Sequence, residues 1–251
     1  MWAATRMRPV LEGQVPDEII TPQQRHRLDR WPERLRGHAI RAIDTHGKHL
    51  FIRFEGDLVL HSHLKMTGAW GVYSQAARWS RSRSRAWLVL SRGGRQVVQF
   101  DGPVLELMSE SRSRFDLRLA ALGPDVLAAE FDYGRFLSRL REDDPGRPIG
   151  DALLDQRTVA GIGNIWKSEG CWEAGVSPWR PVGQVSDEEA RLLVERVRPR
   201  MLRSGTHGPR FAGAQLYRRP GRPCARCGTP IRSGPQGDGN RMTYWCPGCQ
   251  R

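Results

Sequence analysis

Four of the five cysteines are confined to the C-terminal stretch, as Cys224-x2-Cys227-x18-Cys246-x2-Cys249. Each Cys-x-x-Cys turn puts two thiolates on one tetrahedral ion, and the 18 residues between them suit a β-hairpin that brings the turns together. Four thiolates close the coordination sphere, so the spacing predicts a single structural Zn2+ and not a hydrolytic site. Cys171 is left over; it is expected to be buried, and the sequence assigns it no role.

Three further segments hold residues able to do chemistry. In "DQRTVAGIGNIWKSEG", Gly161 and Gly163 bracket a tight turn and Asn164 starts a helix, so free N–H groups and the Asn164 amide together form an anion site. In "THGKHLFIRF", Lys48 follows Gly47 at a turn entering a strand, which places an ammonium at a hairpin tip. In "LHSHLKMTGAW", His61 and His63 share one strand face; a metal pair lacks a third ligand there, and hydrogen bonding in the core is the simpler expectation. Met66 precedes a Thr-Gly turn, and Arg241 stands just before the returning strand of the cysteine hairpin. Taken one at a time, Lys48 is an exposed lysine, Met66 a core methionine and Arg241 a solvated arginine.

The elements that must position these residues divide along the chain. From Ile40 to about Leu122, "HLFIRFEG", "DLVLHSHLKMTG", "AWLVLSRGG", "RQVVQFDG" and "VLELMS" are short β-rich runs bounded by Gly or Asp-Gly turns, which predicts an antiparallel sandwich or barrel. The polar loop "SQAARWSRSRSRAW" between them is expected to be solvated, with phosphate contact allowed. After Leu122 the period changes to helical: "FDYGRFLSRLR", "IGDALLDQ" and "SDEEARLLVERVRPRML" are expected helices. The last has a Ser186/Glu189 capping box, an apolar stripe of Leu192, Leu193, Val197 and Leu202, and a kink at Pro199. "SGTHGPRFAG" then connects to the cysteine hairpin. At the start, "MWAATRMRPVLEG" reads as a short helix stopped by Pro9.

The 251 residues carry 40 Lys+Arg against 27 Asp+Glu, a formal net charge of +13, which is the electrostatic footprint of a polyanion ligand. No apolar run approaches the roughly 18 residues of a membrane span, and the cysteine usage is not that of a disulfide framework. A cytoplasmic protein is expected.

"HGKHL", "HSHLKMTG", "LGPDVL", "LLDQRTVAGIGNIWKSE" and "CARCG…RMTYWCPGCQ" together resemble the formamidopyrimidine-DNA glycosylase and endonuclease VIII family, in the same order from about Arg8 to Arg251. "RMTYW" and "HLKM" are nearer to its bacterial, endonuclease VIII-like branch. The resemblance implies a two-domain α+β fold. Its parts are an N-terminal antiparallel β-sandwich over residues 1–125, a helix-two-turn-helix domain over 126–215 and a four-cysteine zinc finger over 216–251, enclosing a DNA groove. It implies a monomeric, nucleoid-associated base excision repair enzyme acting on double-stranded DNA with an oxidised base or abasic site. In that chemistry the damaged nucleotide is flipped out, an N-terminal amine attacks C1′, the base leaves, and the Schiff base permits strand cleavage by elimination.

Carried onto this sequence, the resemblance makes Lys48 the hairpin lysine that contacts phosphate near the lesion and assists the chemistry, and Met66 the residue that fills the space left by the flipped base. Asn164 becomes the phosphate-binding asparagine, Arg241 the zinc-finger arginine on the flanking phosphates, and Glu169 a structural acid. Cys224, Cys227, Cys246 and Cys249 hold the zinc. The family begins with Pro-Glu-Gly after loss of the initiator Met, the proline amine being the nucleophile and the glutamate its proton-handling neighbour. Neither stands at the start here, which implies about six residues upstream of Trp2 and a start placed too late. Two other readings are a non-catalytic, zinc-containing binder of damaged or abasic DNA, and a zinc-ribbon architectural protein. The second leaves Lys48 and Met66 at family positions unaccounted for.

Overall fold

Strict alternation along "HLFIRF" and "LVLHSH" sends Leu50, Ile52, Phe54 and Leu60 to one side of a sheet and His49, Phe51, Arg53 and His61 to the other. The computed structural model describes residues 1–142 and 144–251, with Phe211 by its backbone alone. The chain falls into two units, Met1–Ala120 and Ala121–Arg251.

The first unit opens with helix α1 (Trp2–Leu11), strand β1 (Glu18–Ile20) and two single-turn helices, α2 (Gln24–Leu28) and α3 (Trp31–Leu35). Strands β2 (Ile40–His46), β3 (His49–Phe54), β4 (Leu58–His63) and β8 (Val104–Ser109) form one antiparallel sheet in the order β2-β3-β4-β8. β1, β5 (Ala69–Ser74), β6 (Ala86–Arg92) and β7 (Arg95–Phe100) form the other in the order β1-β6-β7-β5. Ile43, Leu50, Ile52 and Leu60 of the first sheet share a core with Leu88, Leu90 and Val97 of the second, so the unit is a sandwich. Each such side chain, taken fully out of water, contributes roughly 1.5–3 kcal/mol.

Three strands lie outside the five β-rich runs. "EII" is too short to signal, "IRAIDTH" has a polar outer face, and "AWGVYS" is interrupted by Gly71. The strand-like reading to Leu122 is also corrected: after β8 come helices α4 (Glu110–Phe115) and α5 (Leu117–Ala120), with Ser109 capping α4 by accepting the Arg112 N–H at 3.0 Å. Nor does Pro9 stop α1. The helix runs on to Leu11 because Ala4, Met7 and Leu11 line one stripe and are fully buried in the sandwich core, which offsets the one hydrogen bond that proline forfeits.

In the second unit, α6 (Tyr133–Arg141) is capped by Asp132, whose carboxylate accepts the Arg135 N–H at 2.8 Å. "IGDALLDQ" yields only the single turn α7 (Ile149–Ala152), since Asp155 beyond it takes the Arg157 N–H into a local turn instead of continuing the helix. α8 (Asn164–Ala174) begins where the glycine turn predicts and ends at Gly175 in the left-handed region. The Ser186/Glu189 capping box is present at α9 (Asp187–Glu195). The expected kinked helix is in fact two: α9 ends at Glu195, and Pro199 sits in the first turn of a separate α10 (Arg198–His207), where its missing N–H costs nothing. The buried stripe is Ala190, Leu193, Val194, Val197 and Met201, with Leu192 and Leu202 half-buried. α8 and α9 approach so closely that a Cβ on Gly170 would lie 2.6 Å from the Leu193 carbonyl oxygen. The chain closes with the hairpin β9 (Arg232–Gln236) and β10 (Arg241–Trp245). Among the described residues no helix is long and apolar enough to cross a membrane.

Candidate nucleic-acid interface and metal centre

In the first unit the candidate residues stand on turns. β2 and β3 are joined by Gly47-Lys48 alone, His46 pairing with His49, so Lys48 is exposed at the tip of a two-residue hairpin. Beneath it lies a histidine cluster that spacing along a single strand could not disclose. His61 is buried; its Nε2 lies 2.8 Å from His49 Nδ1 and its Nδ1 3.4 Å from Glu106 Oε2. The carboxylate of Glu106 only accepts, so His61 donates from Nδ1 and must accept at Nε2 from His49. The third histidine, His49, is thus a hydrogen-bond partner brought in by strand pairing. Burial, reinforced by His63, His61, His46 and Arg118, pulls His49 down to about 3, and burial also lowers His61 and His63. The cluster is a neutral brace under the hairpin. Among the described residues, the one group with metal-ligating geometry is the four cysteines.

Met66 is 83% exposed on the turn between β4 and β5, contrary to its default as a core residue. The turn is fastened from behind: Gly68 N donates to Leu64 O at 2.8 Å, and Arg81 donates to Thr67 O at 2.7 Å and to Asp101 at 2.6 Å. The arginine-rich loop is therefore partly structural, with Arg81 and Arg85 paired to Asp101 and Arg83 over the Trp79 ring. Sequence reasoning missed a pair of exposed apolar residues, Phe115 and Leu117, 79% and 84% exposed and set among Arg112, Arg114 and Arg118. Their signal was available as large apolar residues in a basic stretch lacking strand alternation.

In the second unit the candidates lie on a seam between α8 and β10. Asn164 Nδ2 donates to Met242 O at 2.7 Å, Lys167 Nζ donates to Thr243 Oγ1 at 2.5 Å and to Gln236 Oε1 at 3.2 Å, and Tyr244 N donates to Ser168 Oγ at 3.4 Å. Residues 164, 167 and 168 share a helix face and meet 242, 243 and 244 in succession. The first turn of α8 has no side-chain cap and no acid, so its N–H groups favour an anion. The exposed Arg241 follows the hairpin turn and borders an open cavity of about 590 Å3 together with Arg147, Asp151 and Asp238.

Glu169, fully buried, accepts N–H groups from Gln215, Leu216 and Tyr217 and a guanidinium N–H from Arg200. It organises the segment leading to the hairpin. Cys171 is buried on α8, with burial pushing its thiol up to about 12.

The sulfurs of Cys224, Cys227, Cys246 and Cys249 all lie within 4.8 Å of one another, with 3.8 Å between Cys224 and Cys249 and 3.4 Å between Cys227 and Cys246. These separations are far beyond a disulfide. They bracket the roughly 3.8 Å edge of a tetrahedron with metal–sulfur bonds near 2.3 Å. The Arg226 N–H and the Trp172 indole N–H both point at Cys224 Sγ, at 3.4 and 3.3 Å, and hydrogen bonding to Thr229 pulls Cys227 down to about 6. A Cβ on Gly248 would lie 2.5 Å from Thr229 Oγ1 and 3.1 Å from Cys227 Sγ, so glycine lets this turn pack closely beside the sulfur cluster. The donor set fits one thiophilic metal ion.

Comparison with known proteins agrees with this geometry. Residues 3–103 match the family model described as the formamidopyrimidine-DNA glycosylase N-terminal domain, and residues 122–208 match the formamidopyrimidine-DNA glycosylase H2TH domain. The chain is 40% identical over 262 residues to the probable endonuclease 8 2 of Streptomyces coelicolor, covering 100% of this chain and 92% of that protein. It is 38% identical over 223 residues to the DNA-(apurinic or apyrimidinic site) lyase Nei2 of Mycolicibacterium smegmatis, covering 86% and 84%. A complex between the Lactococcus lactis Fpg and an abasic site containing DNA has a similar fold, with TM-score 0.84, 25% identity and coverage of 100% and 97%.

Proposed function

From the premise that the chain belongs to the formamidopyrimidine-DNA glycosylase and endonuclease VIII family, we propose that it is a base excision repair DNA glycosylase with AP lyase activity on duplex DNA. Its substrates in this reading are oxidised bases and abasic sites, encountered in the cytoplasm on the nucleoid. The observation that carries the reading is Met66, an unbranched apolar side chain 83% exposed on a turn fastened by Arg81 and Asp101. An exposed apolar side chain on a braced turn costs solvation in the free protein and suits insertion between stacked bases. Flipping a nucleotide costs a few kcal/mol of lost stacking and pairing, which a wedge in the vacated space offsets.

The remaining residues take supporting parts. Lys48 meets a phosphate near the lesion and assists the chemistry, with its hairpin held by the neutral histidines. The α8 N-terminus with Asn164 and the guanidinium of Arg241 hold flanking phosphates, contacts that position the DNA and do not specify its sequence. Asn164 Nδ2 carries two N–H groups and gives one to Met242 O, so the same amide also ties the hairpin to the helix start. One structural Zn2+ on Cys224, Cys227, Cys246 and Cys249 holds the two turns of the hairpin together and takes no part in bond breaking. The protein acts as a monomer.

In the family chemistry an amine attacks C1′ and displaces the base, the sugar opens to a Schiff base, and loss of a C2′ proton with breakage of the C3′–O bond releases the 3′ strand. The attacking amine belongs to a Pro-Glu start, which the sequence beginning at Met1 does not carry. The test accordingly uses this chain and a version started with Pro-Glu-Gly on duplexes with one oxidised base or one abasic site. Incision at the lesion by the second version supports the reading. Tight binding of abasic DNA without incision by either version would favour the non-catalytic binder, and equal affinity for damaged and intact duplex would contradict both.

A further inference from the structure

Lys167 is the one lysine among the largest fully buried side chains of the chain. Its ammonium donates to two neutral oxygens, Thr243 Oγ1 and Gln236 Oε1, and among the described residues no carboxylate forms a salt bridge with it. A buried cation paired only with neutral groups destabilises a fold. Packing does not require this charge. Gln236 Oε1 also accepts from Thr243 Oγ1 at 2.8 Å, and Gln236 Nε2 donates to Pro178 O at 2.7 Å, so both partners keep hydrogen bonds without the lysine. A methionine of similar length would fill the same space.

The position of the charge gives it a use. Lys167 lies one helical turn after Asn164, at the uncapped start of α8, and its partner Thr243 is two residues after Arg241. We infer that Lys167 is an electrostatic positioning residue: a fixed charge beneath the Asn164–Arg241 corner that strengthens its hold on a DNA phosphate at the expense of stability. The inference rests on the duplex-DNA reading above and adds a residue that does not itself touch the backbone. Burial pulls Lys167 down to about 8, with Arg241 on β10 acting the same way and the Asp151 carboxylate on α7 opposing, while the Cys171 thiol on its own helix, pushed up to about 12, is uncharged in this range. A bound phosphate reverses that balance and holds the proton on. DNA affinity should therefore weaken as pH rises through about 8, beyond the weakening in a variant without the charge.

The experiment compares the full, zinc-loaded wild-type chain with K167M and K167Q by fluorescence anisotropy on an abasic-site duplex at fixed salt. Melting temperature and zinc content are measured on the same samples. Both variants should bind about tenfold more weakly at pH 7.5, a loss of roughly 1.4 kcal/mol. Both should retain one zinc and melt no lower than wild type, and their affinity should change less than that of wild type between about pH 7.5 and about pH 9, the interval spanning the Lys167 value of about 8. Affinity within about twofold of wild type in K167M would overturn the inference. So would full recovery in K167Q, which would assign the role to a hydrogen bond, or loss of zinc in both variants, which would make the residue merely structural. If the wild-type chain binds no duplex at all, the duplex-DNA reading itself has failed, a result seen before any variant is measured.

Discussion

The two units carry their candidate residues in opposite ways. In Met1–Ala120, Lys48 and Met66 project from turns whose bracing lies behind them, in the His61–His49 contact and the Arg81–Asp101 pair. In Ala121–Arg251, Asn164 and Lys167 belong to the seam that docks the hairpin on α8, and Arg241 rides on that hairpin. The difference teaches that function and folding separate readily in the first unit and are entangled in the second. Removing a tip in the sandwich should change what the protein does to DNA and leave the fold alone. Removing a seam residue changes both, unless the residue is one, like Lys167, whose charge the fold does not need.

The largest effect that could break this comparison is loss of the metal. Structural zinc contributes on the order of 10 kcal/mol to the folding of small finger modules. Cys246→Ser, or a chelator, should release the ion, disorder β9–β10, and weaken duplex binding on the order of a hundredfold while the sandwich stays folded. Zinc determination with hydrogen exchange checks it; protection lost equally across residues 1–120 would show that the units are not separable. Next is Glu169→Ala, which strips one acceptor from three N–H groups and Arg200. Leaving such buried partners uncompensated should cost about 3–5 kcal/mol, read by denaturant unfolding of the second unit.

Acid should act on the first unit. The folded His49 titrates near 3 and His26 near 4, both from an ordinary 6.5 and both chiefly because of burial. The unfolded chain thus binds more protons across that window, so stability is fully present above 6.5 and is lost as pH falls toward 3 to 4. The Lys167 shift has the same sign in a higher window in the second unit, where stability rises as pH climbs from about 8 to 10.5. Hydrogen exchange at pH 4 should show the sandwich opening first; opening of α8 before β3 and β4 would invert the comparison. The smallest effect on folding is expected from Met66→Ala, within about 0.5 kcal/mol of wild-type stability. The same change should erase much of the preference for abasic over intact duplex, measured by competition binding.

What was legible in the sequence followed locality. The Cys-x-x-Cys pairs, the glycine turn before Asn164 and the Ser186/Glu189 box are each set by a few neighbouring residues, and the structure has them where the spacing puts them. Pro9 and Pro199 misled for a related reason. Local propensity stops a helix at proline, but burial of Leu11 carries α1 onward, and at Pro199 a new helix starts. His49 and Lys167 were invisible as site residues because their partners arrive by pairing across strands or from β9 and β10, 69 and 76 residues away for Lys167. The same holds for the exposure of Met66, which depends on how the β4–β5 turn is tied to residues 81 and 101.

The central claim is that this chain's fold serves covalent processing of damaged DNA through an amine. Borohydride reduction of the protein on a duplex with a single abasic site tests it most directly. A trapped protein–DNA adduct is expected for the version started with Pro-Glu-Gly, in far higher yield than for the chain beginning at Met1. No adduct from either version, with duplex binding intact, would contradict it.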